Sequence, residues 1–372
     1  VKIRTAVVLV AGNLAVLVVI VMGLNLLAAA VLDVQYVFRR AFFATDDRVD
    51  LPNFTDKERA KTIFDEFRDL RTEYAPFVVW SRMPYAGRAT TVNGAGDRVH
   101  SKTTDDPVGV VRFFGGSSTW GSGVDDEATL PARFNALYPS YEVHNHGETG
   151  FNSRQELARL VNLVNQGAPM DLVIFYDGAN DASSFCRSNL EFNGNSRAGK
   201  IQRRVHPSSE ILNTLIGALV EIANGKFVRK HLSGTQTPIQ RCQDASYAEQ
   251  VARTMVNNWR IAKGVSAVGG ARFLAILQPM AAVGRPKIDH LPPEDLVNGG
   301  IDLVYAHIRK LVAEDLELDF VIDMSNAYDV NEYIFIDWVH ATQNGHDIVA
   351  RKLHEVVDPF SPGRRTEPVA GN

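Results

Sequence analysis

Three patterns of apolar and polar positions divide the chain. Residues 5–32 run for 28 positions without a charged side chain, and about 20 apolar residues are enough to span a bilayer core. One transmembrane helix is the expected reading. The alternative is a cleaved signal peptide, since Lys2 and Arg4 form a basic start and Ala28-Ala29-Ala30 offers small residues to a peptidase. The run is about twice the usual 7–15-residue apolar segment of such a leader, which favours the anchor. Arg39 and Arg40 mirror Lys2 and Arg4, so charge bias does not set the orientation.

The second pattern covers residues 33–107. Residues 33–50 read as a juxtamembrane linker. Residues 56–70 read as an amphipathic helix, with Ile63, Phe64, Phe67 and Leu70 at helical spacing and Asn53 and Thr55 as nearby capping residues. Residues 74–102 hold short apolar runs broken by Pro, Gly and Asn, which predict irregular strands and turns.

From residue 108 the pattern changes again. Apolar runs at 108–114, 141–145, 172–176, 273–277 and 320–324 alternate with helical periodicity near 130–137, 154–166, 247–268, 303–314 and 344–356. Repeated strand-then-helix predicts a mainly parallel sheet covered on both faces. The expected layout is an anchor at 5–32, an extension at 33–107, a main α/β domain at 108–360 and a flexible tail at 361–372. A helical insert is expected at about 183–245.

Composition narrows the class. The chain has 372 residues, of which 45% are hydrophobic and 22% charged, which excludes a disordered or collagen-like protein. A net charge of -4 supplies no basic surplus for nucleic acid. Two cysteines exclude a four-cysteine zinc site.

In parallel sheets the chemistry gathers just after the strands, and four such junctions stand out. The first is Gly115-Gly-Ser-Ser-Thr-Trp-Gly121, with Asp125, Asp126 and Glu127 at an expected helix start. Its glycines allow a sharp turn that exposes Ser117. It lacks the Gly-Lys-Ser/Thr ending of a P-loop, and Thr119 replaces the last glycine of G-x-S-x-G. The second strand ends in His144-Asn-His-Gly-Glu-Thr-Gly150, and the third in Tyr176-Asp-Gly-Ala-Asn180-Asp181. A glycine N–H and an Asn carboxamide can both donate to a developing oxyanion, although both residues are also common turn formers. The fourth junction is Asp337-Trp-Val-His340, where the Asp can fix the imidazole tautomer for a serine.

The order Ser117, Gly150, Asn180, Asp337 and His340 resembles the SGNH, or GDSL-like, hydrolase family over about residues 108–357. The resemblance implies a three-layer α/β/α domain around a five-stranded parallel sheet and a serine esterase or acyltransferase mechanism. It implies Ser117 as nucleophile, His340 as general base and then acid, and Asp337 as its orienting partner. The implied oxyanion donors are the N–H groups of Ser117 and Gly150 with the Asn180 side chain. No cofactor is implied. The Asp that usually precedes the family's nucleophile is Gly116 here, and Gly147 competes with Gly150 for the oxyanion role, Gly150 being the better match as the second glycine of the G-x-x-G run.

A metal site is the rival chemistry. His144 and His146 alternate on a strand and form an H-x-H pair, with His340, His346 or Asp181 as further candidates. A third ligand at fixed local spacing is missing, so no metal is expected.

Within the insert, residues 211–222 form an apolar helical run, and residues 187–241 carry nine Lys and Arg against three Glu. A helical cap with a solvated basic face is the plain reading. A lid over the acyl pocket, or a surface for anionic headgroups or acidic glycans, is the sharper one. Cys186 and Cys242 bracket the insert, either as a disulfide suited to an extracytoplasmic domain or as two buried thiols. The resulting expectation is a membrane-anchored serine esterase facing away from the cytoplasm, in the periplasm, acting on acetyl groups of a cell-surface polysaccharide. A polysaccharide O-acetyltransferase, a lipid esterase and a catalytically silent glycan-binding protein are the alternatives.

Overall fold

The computed structural model describes residues 2–42, 46–102, 104–187, 194–197, 240–293, 296 and 298–357. The chain divides into two compact units, Val1–Thr45 with Arg197–Thr237, and Asp46–Ser196 with Pro238–Asn372. The apolar run 211–222, most of the basic surplus and the tail 361–372 lie outside the described residues.

In the first unit, α1 (Lys2–Phe42) is one continuous helix. Its segment Val7–Leu24 has a mean hydropathy of 2.8 and is fully exposed. Length and composition suit a membrane span, and a signal sequence satisfies the same criteria.

The second unit is built on a parallel sheet. Its strands are β5 (Val110–Gly115), β6 (Glu142–Asn145), β7 (Leu172–Asp177), β8 (Arg272–Leu277) and β9 (Val321–Asp323). The spatial order is β6-β5-β7-β8-β9, with every neighbouring pair parallel. Side chains alternate between faces, as a period of two requires. On β7, Leu172, Ile174 and Tyr176 join one core, and Val173 and Phe175 join the other. The first core is shared with α4 (Leu130–Leu137) and α9 (Gln343–Val356). The second is shared with α5 (Ser153–Asn165), α7 (Ala245–Val268) and α8 (Ile301–Glu314). The result is the three-layer α/β/α sandwich around five parallel strands. The strand order reverses between β5 and β7, and such a reversal opens a crevice at the carboxyl ends of the strands.

Two local expectations shift. A short helix, α3 (Ser117–Trp120), begins at the serine itself, and the acidic run 125–127 leads only into a 3-10 turn. The following α4 starts behind Thr129, whose side chain accepts the Ala132 N–H.

From Asp46 onward the extension is folded against the domain. Helix α2 (Lys57–Asp69) is capped by Asp56, which accepts the Arg59 N–H. The pairs β1 (Thr72–Ala75) with β2 (Val79–Arg82), and β3 (Tyr85–Ala86) with β4 (Thr91–Val92), are antiparallel. Arg98 bridges to Asn145 and so covers the outer edge of β6. Cys186, just after α6 (Ala179–Phe185), is bonded to Cys242.

Candidate active site

Strand β5 delivers Ser117 through two glycines with separate reasons to be glycine. A Cβ on Gly115, at φ +156°, would lie 2.0 Å from Thr119 Oγ1 and 2.7 Å from the Tyr176 carbonyl. A Cβ on Gly116 would lie 2.1 Å from Asn180 Nδ2. Gly116 therefore lets the Asn180 carboxamide close onto the serine turn.

The loop behind Ser117 is pinned by Arg98, almost fully buried. Its guanidinium donates to the carbonyls of Trp120, Gly121, Ala89 and Val124 and pairs with Asp126 at 2.8 Å. A buried charge is tolerated only when its donors are matched in this way.

The Asp337–His340 turn precedes α9 and is closed by Ile336 N–H donating to the His340 carbonyl. Asp337 Oδ1 accepts the N–H groups of Val339 at 3.0 Å and His340 at 2.8 Å. Its Oδ2 lies 2.7 Å from His340 Nδ1, and His340 Nε2 lies 2.7 Å from Ser117 Oγ. A carboxylate only accepts, so Nδ1 carries the proton and Nε2 offers its lone pair to the serine hydroxyl. Burial by itself pushes the Asp337 carboxyl up. The facing His340 and the two backbone N–H groups outweigh burial and hold it well below the usual carboxylate range.

Asn180 stands near the start of α6, at the end of β7. Its Nδ2 donates to the Phe151 carbonyl at 2.6 Å, which leaves the second amide hydrogen for another acceptor. Gly150, at φ +80°, and Ser117, in the first turn of α3, have N–H groups with no partner among the described residues. Gly147 is different. Its N–H donates to Asn145 Oδ1 at 3.0 Å, and a Cβ there would meet Trp120 N at 2.4 Å, so it serves packing.

The H-x-H pair has other work. The rings of His144 and His146 stack 5.7 Å apart. His146 Nδ1 pairs with Asp97 at 2.7 Å and its Nε2 with Arg112 at 2.8 Å, so both nitrogens are engaged. His346 Nδ1 is taken by the Ala128 carbonyl. Asp181 turns inward, accepting the N–H and hydroxyl of Ser153. It shares a buried pocket of charge with Asp177 and Glu156. Burial pushes all three carboxyls up, and Asp177 raises its two neighbours further.

Two contributions escape sequence reasoning. Arg48 Nη1 donates to Asp337 Oδ2 at 3.0 Å, and Asn53 Nδ2 donates to the carbonyls of Tyr333 and Phe335 at 2.6 and 2.9 Å. Residues 33–50 carry no motif that marks Arg48, because its partner lies 289 positions away.

A family profile described as GDSL-like Lipase/Acylhydrolase matches residues 111–353. No curated protein sequence matches the chain. Among solved structures, a lipolytic G-D-S-L family protein from Veillonella parvula is 16% identical with a TM-score of 0.38, covering 68% of this chain and 99% of its own. The carbohydrate acetylesterase Est24 from Sinorhizobium meliloti is 15% identical with a TM-score of 0.36, covering 67% and 99%. The inhibitor-bound aryl esterase of M. smegmatis is 14% identical with a TM-score of 0.39, covering 67% and 98%.

Proposed function

The chain belongs to the GDSL-like lipase/acylhydrolase family, and from that premise we propose that Ser117, His340 and Asp337 are the catalytic triad of this serine ester hydrolase. The observation that carries the reading is the unbroken line from Ser117 Oγ through both ring nitrogens of His340 to Asp337, with both contacts at 2.7 Å. The Ser117 oxygen attacks the ester carbonyl carbon while its proton passes to His340 Nε2. The N–H groups of Ser117 and Gly150 and the free Asn180 amide hydrogen receive the oxyanion. Collapse expels the alcohol, which takes the proton from His340. A second hydroxyl, from water or a sugar, then enters by the reverse path and releases the acyl group.

The finer reading is an acetyl group on a carbohydrate, met outside the cytoplasm. A cleft of about 480 Å³ supports the carbohydrate. It begins at Asn152, two residues beyond Gly150, and joins the polar side chains of Arg154, Asn162 and Asn165 to an apolar wall of Phe77, Val79, Leu157 and Val161. The Asn162 and Asn165 amides and the Arg154 guanidinium suit vicinal hydroxyls, and the Phe77 ring, 81% exposed, offers a face to sugar C–H groups. The Cys186–Cys242 disulfide supports an oxidising compartment, and α1 supports attachment to a membrane.

The test is hydrolysis of an acetylated oligosaccharide beside an aryl acetate. Phe77→Ala should raise KM for the oligosaccharide several-fold and leave the aryl ester unchanged. Equal effects on both esters, or none, would remove the sugar cleft, while fluorophosphonate labelling of Ser117→Ala would remove the triad. Free acetate against an acetylated acceptor sugar separates hydrolysis from transfer.

A further inference from the structure

We propose that Arg48, supplied by the segment between α1 and the catalytic domain, is a positioning residue of the triad. The inference rests on the triad reading above and adds a fourth side chain to it.

Asp337 has about four acceptor directions. Two backbone N–H groups fill those on Oδ1, and on Oδ2 the His340 Nδ1–H and Arg48 Nη1 take the other two. With Arg48 in place the carboxylate has no open direction toward which it can rotate. The opposite edge of the guanidinium donates through Nε and Nη2 to Asp46, both at 2.9 Å. Its carbon lies 4.5 Å from the centre of the Phe64 ring of α2. Arg48 is therefore held on three sides.

The segment grips the catalytic turn at two further places. Val49 packs with Ala60, Phe64 and Ile336, the residue before Asp337. Asn53 clamps the Tyr333 and Phe335 carbonyls on the chain that leads into it. The polar, motif-free stretch after the apolar helix thus forms part of the active site's frame.

The charges facing this point are Asp46 and Arg48 from the extension, Asp337 and His340 from the turn, and His346 from α9, which interacts with His340. The Asp46–Arg48 pair is neutral as a unit. Removing Arg48 alone leaves two carboxylates facing each other beside the imidazole, which favours the imidazolium.

The experiment compares full-length wild type, Arg48→Gln, Asp46→Asn/Arg48→Gln and Arg48→Lys on an aryl acetate across pH. In Arg48→Gln the acid limb of kcat/KM should move to higher pH, and kcat should fall by roughly 10- to 100-fold with KM little changed, as expected for a small misplacement of the base. The double variant should return the limb to its wild-type position while kcat stays low. Arg48→Lys keeps the charge and loses the fork, so it should lower kcat with the limb unmoved, which also gives a reading if the Gln variant does not fold. An unmoved limb in a folded Arg48→Gln protein overturns the proposal, whether or not kcat falls, because a merely structural loss does not shift titration. Unchanged kcat in Arg48→Lys overturns it as well. Ser117→Ala in the same series separates this outcome from failure of the triad, since only the latter leaves turnover in that variant.

Discussion

The domain holds two Asp–His pairs with the same contact and opposite fates. In each, an aspartate oxygen lies 2.7 Å from His Nδ1, at Asp337–His340 and at Asp97–His146. The difference lies at the other nitrogen. His340 Nε2 faces the Ser117 hydroxyl, whereas His146 Nε2 accepts from the Arg112 guanidinium. Access differs too: the His340 side chain is 16% exposed and that of His146 only 2%. Burial pushes the His146 imidazole down, and the Asp97 pairing opposes this only in part. Arg159 pairs with Asp97 and also donates to the His146 carbonyl, completing a closed network. On the proposed triad, an Asp–His pair becomes chemical machinery through what its second ring nitrogen meets. Without an exchangeable hydroxyl it is a brace.

The strongest way to break this comparison is to exchange losses between the pairs. Ser117→Ala and His340→Ala should each lower aryl-acetate turnover by roughly 10⁴-fold or more with melting little changed. Ser117→Ala should also abolish fluorophosphonate labelling. If His340→Ala retains turnover, the two pairs are not distinguished by function. Next in size, Asn180→Ala should cost about 2.7–4 kcal/mol of transition-state stabilisation, or two to three orders of magnitude in kcat. Near-normal kcat in the folded variant would take Asn180 out of the oxyanion site.

His146→Ala sharpens the contrast from the other side. It strips partners from the buried Asp97 and Arg112, so denaturant unfolding should report a loss of roughly 3 kcal/mol. The folded fraction should turn over at near the wild-type rate. A large fall in kcat with unchanged stability would reverse the assignment.

The smallest effect contrasts two adjacent residues, Asn180 beside the serine turn and Asp181 turned into the core. Burial first, and the neighbouring Asp177 second, raise the Asp181 carboxyl from 3.8 to about 7. The folded protein then holds a proton that the unfolded chain releases. This contribution is fully present below the unfolded value and is lost as pH rises through about 7. Asp181→Asn stays neutral throughout. Its stability relative to wild type should therefore improve by about 1–2 kcal/mol between pH 5 and pH 8, a discounted share of the linkage. Parallel stability curves would show that Asp181 shares no proton with its neighbours.

The apolar helix, the five strands and the four strand-end junctions now proposed as the site were legible in the chain itself. Each depends on local chemistry: an uncharged run, a period of two, glycines where a Cβ has no room, or an Asp three residues from a His. The preference for Gly150 over Gly147 rested on the resemblance alone, and its physical reason, the packing of Gly147 against α3, was not legible. The roles of Arg48, Arg98 and the Asp97–His146 network were equally hidden. Arg48 and its partner lie 289 positions apart, and Asp97 and His146 lie 49 apart. Periodicity and spacing carry information over one element and its neighbours. Which charged groups share a buried space is decided only when the chain closes, since the cost of burying each is offset by partners from other elements.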